Sequence, residues 1–195
     1  MNVFLDYVII DHLQSVLERT YRGRNESSLL KLMTLGEIRK FQVFMADISH
    51  VEMLHGLEKG GLPKSQVEKY RKRDHAKIEI AENMHVIWLS YPASKTNDTY
   101  SRLDLTLRTA DSNWARAYEL ESELESIDGI STGDARQIVA MKYGVDSKQN
   151  GFKITYYLSE DNDLIKAVNL EFSNDRLKAL NTIQFERVCD FISRI

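Results

Sequence analysis

Cysteine, proline and long apolar runs are scarce in this chain of 195 residues. The single cysteine, Cys189, excludes a disulfide framework and a cysteine-rich zinc site. Only two prolines, together with a hydrophobic share of 43%, argue against a disordered or low-complexity chain. No stretch approaches the roughly 20 apolar residues of a membrane-spanning helix, and the first apolar run has no basic leader. We therefore expect a cytoplasmic protein that makes no membrane contact.

The charge balance is close to neutral. Lys and Arg number 26 against 29 Asp and Glu, which gives a net charge of −3. This balance argues against a protein that coats nucleic acid by bulk charge, but it leaves nucleic acid open as a substrate. The length is that of one domain of ordinary size, so we expect residues 1–195 to form a single domain.

Apolar periodicity predicts alternating strands and helices, which indicates an α/β domain with a mostly parallel sheet. Strands are predicted at residues 3–10, 41–48, 86–91, 103–108, 153–158 and 177–180. The pattern does not decide whether segments 86–91 and 103–108 pair as a hairpin or whether the first continues a helix. Helices are predicted at residues 27–40, 50–58, 64–83, 113–126, 134–143, 164–168 and 183–195, the last capped by Thr182.

Several common catalytic motifs are missing. The chain has no phosphate-binding loop with a following Lys-Ser/Thr and no G-x-G-x-x-G after the first strand. The five histidines lack metalloprotease spacing. Cys189 lies beside Val188 and near Phe191 in the last helix, where a small core residue is expected rather than a nucleophile. These absences leave acidic residues as the candidates for chemistry.

Carboxylates occur near predicted strand ends and helix starts. Asp6 interrupts the apolar run VFLDYVII, Glu52 begins the helix after the second strand, and Asp134 opens a helix. Asp161 and Asp163 follow the strand KITYYL. Strand ends and helix starts share one edge of a parallel sheet, where converging carboxylates need protons or divalent cations to coexist. Taken singly, the acids after Asp6 also suit helix starts, turns or solvated faces.

Five segments occur along the chain in the order VFLDYVII, ISHVEMLHGL, GDARQIVAMKYG, YYLSEDNDLIKA and LKALNTIQFERVCDFI. Together they resemble the PIN-domain nucleases, which include the VapC-type toxins. The resemblance covers most of the chain except about residues 64–108. It implies a PIN-like three-layer α/β/α sandwich with a mostly parallel central sheet and an insertion around residues 64–108. It also implies a Mg²⁺ or Mn²⁺ site and hydrolysis of RNA, less often of DNA.

The resemblance assigns roles to individual residues. Its metal ligands correspond to Asp6, Glu52, Asp134 and Asp161. Asp163 takes an accessory catalytic position, and the hydroxyl of Ser159 either orients the attacking water or belongs to an ordinary turn serine. One departure is Val8, because many members carry Asn, Ser or Thr two residues after the first acid; the chain therefore lacks that polar group beside the site.

A basic segment offers a path for the substrate. Residues 64–77 carry six basic side chains and two acidic ones, a local balance of +4. Lys69, Arg71, Lys72 and Arg73 could hold the phosphates of single-stranded nucleic acid, although a solvated helix face has the same pattern. Beyond RNA, the resemblance admits an antitoxin-like protein partner and a homodimer.

Three functions are compatible with these features. The leading interpretation is a Mg²⁺- or Mn²⁺-dependent endoribonuclease of a toxin-like, defence or processing type. The second is a catalytically weak or inactive PIN-like scaffold that binds nucleic acid or a protein, favoured by Val8. The third is another Mg²⁺-dependent phosphoester enzyme on a doubly wound sheet, which would require an acid at the position of Val8.

Overall fold

Short apolar segments pair side by side to form a central sheet. The computed structural model describes residues 1–49, 64–89, 113–143 and 153–192. Their strands are β1 (Asn2–Leu5), β2 (Gln42–Ala46), β3 (Ile87–Leu89), β4 (Tyr156–Leu158) and β5 (Lys178–Leu180). Their helices are α1 (Tyr7–Leu17), α2 (Glu26–Glu37), α3 (Lys64–Asn83), α4 (Asn113–Glu125), α5 (Thr132–Tyr143), α6 (Asn162–Glu171) and α7 (Thr182–Ile192).

All strand pairs in this sheet are parallel. The described strands lie in the order β3-β2-β1-β4-β5, with β1 at the centre. In the register of β1, Phe4 lies opposite Phe44 of β2 and opposite Tyr157 of β4. The central strands are apolar on both sides because both faces of the sheet are covered, as the run of branched residues predicts.

Helices cover the two faces with separate apolar clusters. On one face, Phe4, Phe44 and Tyr157 pack with side chains of α4, α5 and α6. On the other face, Leu5 and Leu158 pack with side chains of α1, α2, α3 and α7. Alternate residues of one strand enter different clusters because successive side chains point to opposite faces. The predicted α/β class with a three-layer α/β/α sandwich is therefore confirmed.

The first predicted strand is too long. Residues 3–10 are not one strand, because β1 ends at Leu5 and α1 begins at Tyr7. Asp6 lies between the two elements with extended backbone angles, φ −67° and ψ 148°. Apolar residues resume after Asp6 because Ile9 and Ile10 form part of the buried face of α1, which packs in the same apolar cluster as Val3 and Leu5 of β1. Apolar residues alone could not separate the buried strand from the buried helix.

The segment expected as an insertion contributes to the sandwich. Its first part forms α3, as predicted, and α3 packs against α1 and α2. Residues 87–89 then form β3, which pairs in parallel with β2. Residues 90–108 lie outside the described part, and so does the strand predicted at 103–108. The helix predicted at 50–58 lies outside it as well.

The last helix is capped by a different residue from the one predicted. Asn181, not Thr182, caps α7: its Oδ1 accepts a hydrogen bond from the Gln184 backbone N at 2.9 Å. Gln184 Oε1 accepts in return from the Asn181 backbone N at 3.0 Å, which completes a reciprocal capping box. The Thr182 hydroxyl is engaged elsewhere, donating to Glu160 and accepting from Asn25.

Two smaller predictions have clear outcomes. The helix predicted at residues 164–168 is longer and runs over Asn162–Glu171 as α6. Cys189 is a buried, unbridged thiol in the apolar cluster under α7, as expected. No helix within the described ranges combines the length and apolarity needed to span a membrane.

Candidate active site

The topology places one switch point at the carboxyl edge of the sheet. From β1 the chain adds β2 and then β3 on one side, and later adds β4 and β5 on the other side. The strand order therefore reverses between β1 and β4. In open parallel sheets, ligands bind at such a switch point, outside the carboxyl ends of the strands. Asp6 follows β1 directly, and Ser159 follows β4 directly.

Asp6 is a buried carboxylic acid at this switch point, with 4% of its surface exposed. Its backbone N–H donates to the Leu158 carbonyl at 2.9 Å, which extends the pairing of β1 with β4 by one residue. The Ser159 hydroxyl donates to Asp6 Oδ2 at 2.5 Å. Burial raises the pKa of Asp6 to about 6; the Ser159 hydrogen bond lowers the pKa and the charge of Asp134 raises it further.

Ser159 connects Asp6 to the loop that follows β4. Its side chain is fully buried, and its Oγ accepts a hydrogen bond from the Asp161 backbone N at 3.0 Å. The same hydroxyl donates to Asp6, so both its donor and an acceptor site are used. The residue is thus a turn serine that also contacts the first acid, and its role in orienting a water stays a prediction.

Asp161 and Asp134 each lie at the start of a helix, Asp161 as the residue before α6 and Asp134 in the first turn of α5. Asp161 caps α6, with Oδ1 accepting from the backbone N of Asp163 at 2.8 Å and of Leu164 at 3.2 Å. Asp134 Oδ2 accepts from the Ser131 backbone N at 3.0 Å and from the Ser131 hydroxyl at 2.6 Å. The other carboxylate oxygen of each residue accepts no hydrogen bond from the described part of the chain.

Tyr157 is a member of this cluster that the sequence did not reveal. Its side chain is fully buried, and its hydroxyl has no hydrogen-bond partner among the described residues. Burial is the main cause that raises the pKa of this phenol, and the negative charges of Asp6, Asp134 and Asp161 raise it further. The pKa lies well above the usual value for a phenol. The charges of all three carboxylates therefore act on this one phenol. The available signal was its position two residues before Ser159, on the same face of β4.

Two other residues were predicted to belong to the site, Asp163 and Glu52. Asp163 is exposed, and its Oδ1 pairs with Lys166 Nζ at 2.8 Å rather than with a residue beside Asp6. Exposure does not distinguish it from Asp161, which is also exposed, whereas Asp134 is half-buried. Glu52 lies outside the described residues. A further acid that the sequence did not single out, Asp47, follows β2 directly at the same edge and is half-buried. An acid immediately after an apolar strand was the available signal.

The basic helix α3 extends toward this edge. Its 20 residues span about 30 Å, whereas the five residues of β2 span about 17 Å. Because α3 ends just before β3 begins, its first turns project past the carboxyl ends of the strands. The contact of Lys77 Nζ with the Tyr7 hydroxyl, at 2.5 Å, places Lys77 beside the first residue of α1.

The predicted basic side chains of α3 differ in availability. Arg71 and Lys72 are exposed, and Lys72 Nζ lies 3.9 Å from Glu68 Oε1 in a solvated pair. Arg73 is half-buried and directed toward Asp11, with 3.9 Å between Nη2 and Oδ1. The side chain of Lys69 lies outside the described part. Arg71 and Lys72 are therefore the exposed members of the predicted basic set whose side chains the structure describes.

The donor chemistry fits a hard divalent cation. Carboxylate oxygens are the ligands that Mg²⁺ and Mn²⁺ prefer, and Asp134 and Asp161 each keep one oxygen outside their helix caps. Within residues 1–49, 64–89, 113–143 and 153–192, however, no three Asp, Glu, His or Cys side chains are grouped closely enough to hold an ion. A ligand from outside these ranges, or a small convergence of the carboxylates, would be needed.

No protein-family model matches this chain, and no match is found among the curated proteins or among the solved structures. The resemblance to PIN-domain nucleases thus remains a prediction from five short segments. The fold agrees with it in class, through the parallel five-strand sheet between two helical layers. Function has to be argued from the site itself.

Proposed function

We propose that this protein is a divalent-metal-dependent endoribonuclease that hydrolyses RNA phosphodiester bonds in the cytoplasm. One observation carries the proposal: a buried carboxylic acid, Asp6, lies at the switch point of a parallel sheet with two further carboxylates near it. A buried acid with a raised pKa is costly to the fold and is a common feature of functional sites. A purely structural role would be met more cheaply by an apolar residue.

The proposed ligands are Asp6, Asp134 and Asp161, with Glu52 as the fourth acid. A bound Mg²⁺ or Mn²⁺ would supply charge stabilisation on the phosphate and a water acidic enough to attack it. Ser159 orients Asp6 by donating to Oδ2. The caps of α5 and α6 hold Asp134 and Asp161 at fixed positions on the rim. Asp163 would act from an outer position.

The substrate would approach along the start of α3. Arg71 and Lys72 are exposed there, and Lys69 belongs to the same proposed set. Arg73 is expected to contact the RNA less directly in this proposal, because its guanidinium is directed to Asp11. Cations spaced along a helix beyond the strand ends suit the phosphates of a single RNA strand.

The proposal is tested by incubating the purified protein with mixed RNAs in the presence of Mn²⁺ or EDTA. Cleavage is expected with Mn²⁺ only, and Asp6→Asn is expected to abolish it while the protein stays folded. Asp175→Asn is the matched control, because Asp175 is an exposed aspartate in the turn before β5, at the opposite edge of the sheet. Full activity of Asp6→Asn would refute the assignment.

A second candidate function, a non-catalytic scaffold for nucleic acid or a protein partner, has its own support. Asp134 and Asp161 already satisfy helix termini, and Val8 packs against the apolar cluster under α1 instead of offering a polar group. The partners in this proposal include an antitoxin-like protein and a second copy of the chain. Titration with Mn²⁺ separates the two candidates, because only a metal-binding site raises the melting temperature.

A further inference from the structure

Tyr157 is a buried polar group with no explained role. Its side chain is fully enclosed, and its hydroxyl lacks a hydrogen-bond partner among the described residues. Buried hydroxyls nearly always have a partner, and an exception calls for an explanation such as a bound ion or a catalytic role. A phenylalanine would fill the same space without leaving a polar atom unsatisfied.

The position of Tyr157 connects it to the carboxylate cluster. It lies opposite Phe4 in the register of β1 and β4, and the two rings stack with 5.7 Å between centroids. Asp6 and Ser159 come two residues after Phe4 and Tyr157 in the chain, just past the ends of the two strands, on the same face of the sheet. The phenol is thus one layer behind the hydrogen-bonded Asp6 and Ser159, and Phe4 supports one side of its ring.

Electrostatics agree with this placement. The charges of Asp6, Asp134 and Asp161 all act on the phenol, and together with burial they keep its proton in place. A protonated phenol can donate a hydrogen bond, and a carboxylate is among the strongest acceptors in proteins. The hydroxyl is therefore a buried donor that lies in the field of three carboxylates and has no hydrogen-bond partner among the described residues.

We propose that Tyr157 is a positioning residue of this site, whose hydroxyl donates to one of the three carboxylates when they converge on a divalent cation. This inference rests on the proposed function, since it requires that Asp6, Asp134 and Asp161 bind a metal. A hydrogen bond from the Tyr157 hydroxyl would orient the accepting carboxylate and offset part of the repulsion between the three negative charges. Groups that orient metal ligands in this way typically account for about 10- to 100-fold in metal affinity.

The test compares Tyr157→Phe with the wild-type chain by thermal unfolding during a titration with Mn²⁺ alone. Without metal, Tyr157→Phe is expected to melt at the same temperature or higher, because it removes an oxygen that has no partner. With metal, its affinity for Mn²⁺ is expected to fall about tenfold or more. Tyr156→Phe is the matched control, because Tyr156 packs on the opposite face against Phe185 and should retain wild-type affinity.

Each outcome separates the two proposals. Wild-type protein that Mn²⁺ does not stabilise would overturn both of them. Stabilisation of the wild type that is lost in Asp6→Asn but unchanged within twofold in Tyr157→Phe would leave the metal site standing and overturn the role of Tyr157. A lower melting temperature of metal-free Tyr157→Phe would also overturn it, since the hydroxyl would then have a partner without metal.

Discussion

The Ser159 hydroxyl lies 2.5 Å from Oδ2 of Asp6, although the two residues are 153 positions apart in the chain. The contact exists because β1 and β4 are neighbours and end at the same level of the sheet. It supplies a side-chain donor to a buried acid. The balance between burial and this hydrogen bond sets the protonation of Asp6, and the balance can be measured.

Asp6→Asn should stabilise the metal-free protein at neutral pH but not at low pH. The pKa of Asp6 is about 6 in the folded protein and 3.8 as the reference for an unfolded chain. The unfolded chain therefore loses this proton first, and the wild type loses stability as pH rises from about 4 through 6. The shift corresponds to about 3 kcal/mol at higher pH.

Urea unfolding between pH 4 and 8 measures this difference. The advantage of Asp6→Asn over the wild type should be near zero at the lowest pH and should reach its full size above pH 7. Asp175→Asn, at an exposed position, controls for the loss of one negative charge. If the difference in unfolding free energy between Asp6→Asn and the wild type does not vary with pH, ionisation of Asp6 is not its cause.

Ser159→Ala should destabilise the protein mainly through Asp6. Removing the hydroxyl leaves a buried carboxylate without its donor, at a cost of about 1–3 kcal/mol near neutral pH. In the Asp6→Asn background the cost should be smaller, because the charge that the hydroxyl stabilises is gone. The lost contact to the Asp161 backbone is common to both backgrounds and cancels in a double-mutant cycle. Equal losses in the two backgrounds would contradict this coupling.

The rim residues could be predicted from sequence because strand ends and helix starts carry recognisable signals. Asp6 interrupts an apolar run, and Asp161 and Asp134 stand at the starts of helices, so each position followed from a local pattern. Parallel topology then brings the three to one edge. The sequence pattern could not show that Asp134 and Asp161 accept hydrogen bonds at helix starts. Helix capping and metal binding select the same residue type, so the two roles have the same sequence signal.

Tyr157 and the end of β1 escaped sequence reasoning for a different reason. Tyrosine suits a strand whatever its hydroxyl contacts, so only the packed structure shows that this hydroxyl lacks a partner among the described residues. The boundary at Asp6 was missed because β1 and α1 bury apolar residues in the same cluster. Both features depend on contacts between elements, which a one-dimensional pattern does not contain.

Thr182→Val should loosen the loop that carries Ser159 and Asp161. The Thr182 backbone N donates to Glu160 Oε1 at 3.1 Å, and its hydroxyl donates to the same oxygen. The hydroxyl also accepts from Asn25 Nδ2 at 2.9 Å. Valine keeps the shape but leaves the buried amide of Asn25 without this acceptor, at an expected cost of about 1–3 kcal/mol. Thr182→Ser should recover most of the loss in chemical unfolding, and a fully stable valine variant would contradict the role of the hydroxyl.

Asn169→Ala should weaken the outer edge of the sheet. Asn169 Oδ1 accepts from the Ala179 backbone N, and its Nδ2 donates to the Ala179 carbonyl, both at 3.0 Å. The side chain thereby imitates a neighbouring strand along β5, the last strand of the sheet, whose outward backbone groups would otherwise be unpaired. Loss of both bonds is expected to cost about 1–2 kcal/mol.

Hydrogen exchange at the Ala179 amide checks this prediction directly. Exchange should be faster in Asn169→Ala than in the wild type, because local opening at the edge of β5 becomes easier. Asn174→Ala, which alters an exposed asparagine in the turn between α6 and β5, is the matched control and should leave the rate unchanged. If Asn169→Ala lowers stability while the Ala179 amide keeps its wild-type rate, the effect must arise in α6 rather than at the sheet edge.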